Sequence, residues 1–139
     1  METLHIEEQT FREGFDKWHI RNLPFHYAIH KISKPDFGLV HDHLTDIRTT
    51  ILFGSYWERV YTVKEDGTWT SQDYHRQEGE IRDIKATTIH EILSLPEGVC
   101  YTSIQPGPIV REFCFWDFSE PVAKFREKNE KEFKYVGPI

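Results

Sequence analysis

The sequence predicts an all-β fold, a sandwich or a barrel, and two observations indicate it. From Phe25 to Phe118 short β-rich runs alternate with turn signals, which is typical of antiparallel sandwiches and barrels. Aromatic residues make up 14% of the chain, which suits a compact β-core filled by bulky side chains. The turn signals are Lys34-Pro35-Asp36-Phe37-Gly38, Glu65-Asp66-Gly67, Glu78-Gly79, Pro96-Glu97-Gly98 and Pro106-Gly107-Pro108.

These turns divide the region into short predicted strands, and a helix is expected on each side of it. Residues 4–23 carry Phe11, Phe15 and Trp18 at helical spacing, so the pattern predicts an amphipathic helix there, ended by Pro24. A second helix is predicted over residues 119–135, because Ser119-Glu120-Pro121 suits an N-cap followed by a first-turn proline. The predicted strands are residues 26–33, 38–43, 48–54, 55–63, 68–75, 80–84, 89–95, 99–105 and 109–116.

Length and charge narrow the class of protein. A chain of 139 residues has the size of one domain, so a single domain is expected over residues 1–139. Seventeen Lys and Arg against 23 Asp and Glu give a net charge of −6. Nucleic acids and anionic membranes both select a concentrated positive surface, so neither is expected as a partner.

The N-terminus and the cysteines predict a cytoplasmic location. The first residues show neither a basic segment nor an apolar core of a secretory signal. No apolar run approaches the roughly 20 residues that span a bilayer. Two cysteines, Cys100 and Cys114, are too few for a disulfide framework and are expected to be reduced.

The triplet His41-Asp42-His43 is the strongest chemical signal in the chain. Side chains alternate along a strand, so His41 and His43 point to the same face. A third histidine, His90, lies on a distant predicted strand. Three neutral imidazoles would bind a divalent transition metal and leave positions open for substrate. The alternative is that His41 and His43 are polar residues at a strand end.

The spacing of these residues resembles the two motifs of the cupin superfamily. His41-x-His43 is followed by Gly54, and Gly79 precedes His90 by eleven positions. The resemblance covers residues 25–118 and implies a double-stranded β-helix, or jelly-roll barrel, with the two helices packed outside it. The glutamate of the first motif falls at Ile47, which cannot bind a metal, so three protein ligands are expected rather than four.

A three-histidine cupin without the glutamate is similar to the thiol dioxygenases, which hold ferrous iron. That likeness is weak beyond the histidines, because the family's later Ser-x-His-x-Tyr segment is not reproduced around Tyr101. Other segments look more like small uncharacterised cupins of phages and bacteria. The resemblance implies a metal-binding cupin, first a mononuclear non-haem Fe(II) dioxygenase acting on a small molecule, with Zn, Ni or Mn as other metals.

Alternatives to the dioxygenase are a non-catalytic small-ligand binding or sensing module and a metal-dependent isomerase or lyase. The expected partners are a small-molecule substrate and, through exposed edge strands, a second copy of the chain in a homodimer.

Four further residues are candidates for the site. Asp46 lies beside the missing glutamate and could be a fourth metal ligand or could orient a ligand histidine. Glu58 could be an acid near the metal or a cross-strand partner of a basic residue. Arg111 could hold a substrate carboxylate, with a surface ion pair as the alternative. Tyr101 could donate a hydrogen bond to a bound oxygen species or be a buried aromatic residue.

Overall fold

The computed structural model describes residues 3–136, and every regular element in that range is a β-strand. Each predicted strand overlaps an observed one, so the all-β prediction is confirmed. The described residues contain no helix of the length and apolarity needed to cross a membrane. The strands are β1 Ile6–Arg12, β2 Phe15–Ile20, β3 Tyr27–Ile32, β4 Val40–His41, β5 Ile47–Phe53, β6 Tyr56–Val63, β7 Trp69–Arg76, β8 Ile81–Ile84, β9 Ile89–Ser94, β10 Cys100–Pro106, β11 Cys114–Asp117, β12 Lys124–Glu127 and β13 Lys134–Tyr135.

The strands form two antiparallel sheets that face each other. One has the order β1-β2-β3-β10-β5-β8 and the other the order β13-β12-β11-β4-β9-β6-β7. Ile51 and Cys100 of the first sheet form a buried cluster with Tyr56 and Ile92 of the second. The core therefore lies between the sheets, and side chains on their inner faces surround whatever space it leaves open.

The predicted N-terminal helix is wrong, because residues 6–20 form the hairpin β1–β2. The turn at Gly14 has φ of +79°, and a Cβ there would lie 2.5 Å from the Cβ of Lys34. Glycine therefore suits this turn on both counts. The rings of Phe11 and Phe15 lie 5.4 Å apart, so the hairpin joins two aromatic residues that the helix would also have joined.

The predicted C-terminal helix is also wrong. The segment contributes β12 and β13, which extend the second sheet beyond β11. Trp116 of β11 lies opposite Phe125 of β12 in the pairing register, and their rings pack at 5.5 Å. Edge pairing thus satisfies the backbone of this tail and also packs Phe125 against Trp116.

The two glycines of the cupin-like spacing have different structural roles. Both have positive φ, +80° at Gly54 and +85° at Gly79. A Cβ at Gly54 would meet the carbonyl oxygen of Val99 at 2.3 Å, whereas a Cβ at Gly79 would have no atom within 4 Å. Gly54 is therefore needed for both conformation and close approach, and Gly79 for conformation alone.

We expect Gly54→Ala to destabilise the protein more than the matched variant Gly79→Ala. The Gly79 change carries the left-handed penalty of about 1 kcal/mol. The Gly54 change adds a clash with backbone, of the order of 1–3 kcal/mol as in overpacked cores. Urea unfolding of both variants measures the difference, and equal midpoints would contradict the assignment.

Candidate metal centre

A cavity of about 380 Å³ lies between the two sheets. Its wall is mainly apolar, with Thr49 and Thr102 as hydroxyl-bearing members. Thr49 and Ile51, which lie two residues apart on β5, are both buried. Phe53 is 51% exposed, because the pairing of β5 with β10 shifts register there and reverses its face.

The three histidines of the motif meet on the wall of this cavity. His41 ends β4 and lies opposite His90 of β9 in the pairing register. His43 follows two residues later, and its ring centroid lies 5.4 Å from that of His41 and 4.8 Å from that of His90. One ring nitrogen from each residue lies within 4.8 Å of the others. Small rotations of the rings would direct all three nitrogens to one ion.

Hydrogen bonds fix two of the rings. His90 Nδ1 donates to Glu58 Oε2 at 2.9 Å, and His41 Nδ1 donates to the carbonyl oxygen of Leu39 at 3.0 Å. In both rings Nε2 is then the unprotonated nitrogen, the form that binds a metal. His43 Nδ1 is buried without a partner, a state that costs about 1–3 kcal/mol.

Burial favours the neutral form of two of these imidazoles, those of His43 and His41. It lowers the pKa of His43 to about 2, assisted by the charges of His90 and His41. Burial likewise lowers the pKa of His41, and His90 adds to that shift. A metal binds only the neutral form of imidazole, so His41 and His43 need no deprotonation step near neutral pH. The donor set, its protonation and its unpartnered nitrogen all fit a divalent transition metal.

The two-sheet architecture also occurs in solved structures. An oxalate decarboxylase of Lactobacillus farciminis in complex with formate superposes with a TM-score of 0.58 at 14% identity, over 78% of this chain and 32% of that chain. The hydroxypropylphosphonic acid epoxidase of S. wedmorenis superposes with a TM-score of 0.52 at 8% identity, over 72% of this chain and 55% of that chain. A structure of HppE with FeII superposes with a TM-score of 0.53 at 10% identity, over 75% of this chain and 56% of that chain. Drosophila melanogaster CENP-C bound to CAL1 superposes with a TM-score of 0.53 at 11% identity, over 75% of this chain and 76% of that chain.

The chain has the cupin fold. It spans about a third of the decarboxylase chain and about half of the epoxidase chain. At these identities the likeness concerns the fold alone. No family model matches the sequence, and no curated protein matches it either.

Glu58 holds the ring of His90 in place. Its side chain is fully buried on β6. Oε2 accepts from His90, while Oε1 accepts from Arg82 at 2.6 Å and from Arg76 at 3.0 Å. Burial alone would raise the pKa of Glu58, but the hydrogen bond from His90 and the charges of His90 and Arg82 hold it at about 2. The carboxylate therefore lies beside His90 and pairs with two arginines, Arg76 of β7 and Arg82 of β8.

Asp42, which is buried, pairs with the half-buried Arg111 beside the second sheet. The Nη1 of Arg111 lies 2.7 Å from Asp42 Oδ2, and Asp42 Oδ1 accepts from the backbone N–H of Cys114 at 2.6 Å. Trp116 Nε1 also donates to Asp42. The triplet's middle residue therefore joins β4 to β11, and Arg111 is paired with Asp42 rather than free to bind a substrate carboxylate.

The structure does not bring Asp46 or Tyr101 to the histidines. Asp46 is exposed, and its Oδ1 accepts from the backbone N–H of Ala86 at 2.8 Å. Tyr101 lies on the face of β10 opposite to Thr102, with its ring 6.4 Å from that of Phe53. Ile47, at the position of the cupin glutamate, lines the cavity, so the wall is apolar where the motif would place a carboxylate.

Strand β2 contributes to the cavity wall, which the helix predicted over residues 4–23 did not anticipate. Phe15, Lys17 and His19 alternate along this strand and line the space opposite the metal cluster's sheet. The alternation of these three residues along the sequence was a pattern that could have predicted a strand. The helical spacing of Phe11, Phe15 and Trp18 favoured a helix instead. Strand β3 adds His30, which lies beside Lys17 in the pairing register.

Proposed function

We propose that this protein is a metal-binding cupin that acts on a small molecule, first as a mononuclear non-haem Fe(II) dioxygenase. One observation carries the proposal. Three imidazoles, that of His90 buried and those of His41 and His43 half-buried, converge at the wall of a cavity, and the group they form contains no carboxylate. Neutral ligands leave the full charge on a divalent ion, and three of them leave positions for substrate and dioxygen.

His41, His43 and His90 would hold the ion, which supplies a redox centre when it is iron and a Lewis acid when it is zinc. Glu58 and the Leu39 carbonyl orient two of the three rings through Nδ1. The apolar wall excludes water from the reacting region and strengthens electrostatic interactions there. The hydroxyl groups of Thr49 and Thr102 can orient a polar group of the occupant.

A second candidate is a non-catalytic small-ligand binding module, and one observation favours it. The carboxylates in and beside the cavity wall are already paired. Glu58 pairs with Arg76, Asp36 with Arg12 and Asp42 with Arg111, and Asp36 also accepts a hydrogen bond from a backbone N–H. The described residues around the cavity thus hold no uncommitted carboxylate to move a proton. The fold does not decide the matter, since CENP-C bound to CAL1 shares it.

Metal analysis and oxygen consumption test the proposal together. Protein purified without a histidine tag is stripped with chelator, reloaded anaerobically with Fe(II), Zn(II), Ni(II) or Mn(II), and analysed by mass spectrometry for bound metal. The iron-loaded form is then mixed with small thiols and small organic acids in an oxygen-electrode cell. We expect one ion per chain and substrate-dependent oxygen uptake with iron only. Failure of every metal to bind would refute the metal site, and iron binding without uptake would favour the binding module.

A further inference from the structure

Lys17 is an isolated positive charge inside the cavity. Its side chain is half-buried on β2. Its Nζ lies 4.7 Å from the ring centroid of Phe11 and 5.6 Å from that of Phe15. Burial in this setting lowers the pKa of Lys17, which indicates that the ammonium is poorly solvated. An ammonium placed against apolar surface is costly unless an anion compensates it.

The acidic residues of the cavity wall do not compensate this charge. Asp36 and Asp42 are the carboxylates of the described lining. Asp36 pairs with Arg12 at 2.9 Å and Asp42 with Arg111 at 2.7 Å. Each also accepts a hydrogen bond from a buried backbone N–H. Among the described residues of this wall, Lys17 is therefore a positive charge without a carboxylate partner. A divalent ion at the histidines would add to the positive potential of the cavity.

A neutral donor accompanies the ammonium. His30 of β3 is paired with Lys17 across the strands and lines the same cavity. Burial, with Lys17 nearby, lowers the pKa of His30 to about 3, so its ring stays neutral and offers one N–H. Lys17 and His30 line the cavity from the first sheet, whereas His41 and His90 line it from the second.

We propose that Lys17 and His30 form an anion-binding end of the cavity, so that the substrate is a small organic anion with an apolar body. The anionic group lies at Lys17, the apolar body contacts side chains such as Phe15 and Ile104, and the reacting part faces the three histidines. This inference rests on the proposed function for the role of the metal cluster, but recognition of the anion does not require the metal. Pockets of this type combine an apolar wall with a few polar groups that fix orientation.

A charge series of ligands tests this assignment on the metal-free full chain. Hexanoate, hexanamide and hexylamine share one apolar body and differ in charge. Isothermal titration calorimetry should show hexanoate binding about tenfold or more tightly than either of the others, the size expected for one charge-assisted hydrogen bond. Lys17→Met should remove this preference. Lys31→Met should retain it, because Lys31 lies next to His30 on β3 but is not part of the cavity wall.

The outcomes separate this inference from the proposed function. A Lys17→Gln variant with a native melting curve replaces Lys17→Met if the latter does not fold. Equal binding of the three ligands, no binding of hexanoate, or an unchanged preference in both Lys17 variants would overturn the inference. If the preference is present but no metal binds to the wild-type protein, the metal proposal fails and the anion site stands. If metal binds but the preference is absent, the anion site fails alone.

Discussion

Replacing His41 and His43 together by alanine is expected to abolish stoichiometric metal binding while leaving the two sheets folded. The change removes two of three ligands that lie within 4.8 Å of one another, and a single imidazole from His90 cannot hold an ion in competition with water. It also removes the buried, unpartnered Nδ1 of His43, so the metal-free variant should not be less stable for that reason. Metal content by mass spectrometry after dialysis is the direct measurement.

Thermal unfolding gives a second measurement of the same loss. An ion that binds only the folded state at a hundredfold excess over its Kd stabilises the wild-type protein by about 2.7 kcal/mol. The double variant should show no such gain on addition of metal. The matched control is His19→Ala with His26→Ala, a second pair of histidines on the cavity wall whose ring nitrogens lie 3.2 Å apart. That control should keep its metal, and metal lost there but retained in the His41 and His43 variant would place the ion elsewhere.

The grouping of the three histidines was predictable because it depends on local spacing and on one long-range pairing. His41 and His43 share a face through the period of two, and the glycine-to-histidine spacing selected His90 as their partner. The roles of Glu58 and Asp42 were harder to predict. The role of each carboxylate depends on a partner that lies far away in sequence. Glu58 pairs with Arg82, and Asp42 pairs with Arg111. Alternation along one strand gives the face of a side chain but not the identity of the group it meets.

The two helices were predicted from contacts that a hairpin supplies equally well. Phe11 and Phe15 are four residues apart, which brings them together on a helix and also across the tight turn at Gly14. The tail has the same ambiguity, because Glu120 pairs with Lys124 and Glu130 with Lys134 at helical spacing although β12 and β13 are strands. Both segments become strands because they pair at open sheet edges, where β2 pairs with β3 and β12 pairs with β11. Local sequence does not record that pairing.

Replacing Glu58 by alanine is expected to destabilise the fold by about 3 kcal/mol and to weaken metal binding about 10- to 100-fold. The carboxylate is fully buried and serves His90, Arg82 and Arg76 at once. Removing one partner of a buried ion pair costs about 3–5 kcal/mol. The lower figure applies here, because the side chains of Arg76 and Arg82 are 20% and 16% exposed and water can reach them. Loss of the acceptor at His90 Nδ1 accounts for the weaker metal binding.

Asp83→Ala is the matched control, because it also removes a carboxylate that pairs with an arginine across neighbouring strands. Asp83 and Arg48 are 67% and 64% exposed, and an exposed pair contributes about 0–1 kcal/mol. Urea unfolding should therefore separate the two variants by about 2 kcal/mol or more, and only Glu58→Ala should change the metal affinity. Glu58→Gln adds a further distinction, since an amide oxygen can still accept from His90 but cannot neutralise two guanidinium groups. If Glu58→Gln recovers metal affinity but not stability, orientation of His90 and charge compensation are separate functions of the one carboxylate. A Glu58→Ala variant with wild-type metal affinity would instead show that the His90 ring is held by the strand pairing alone.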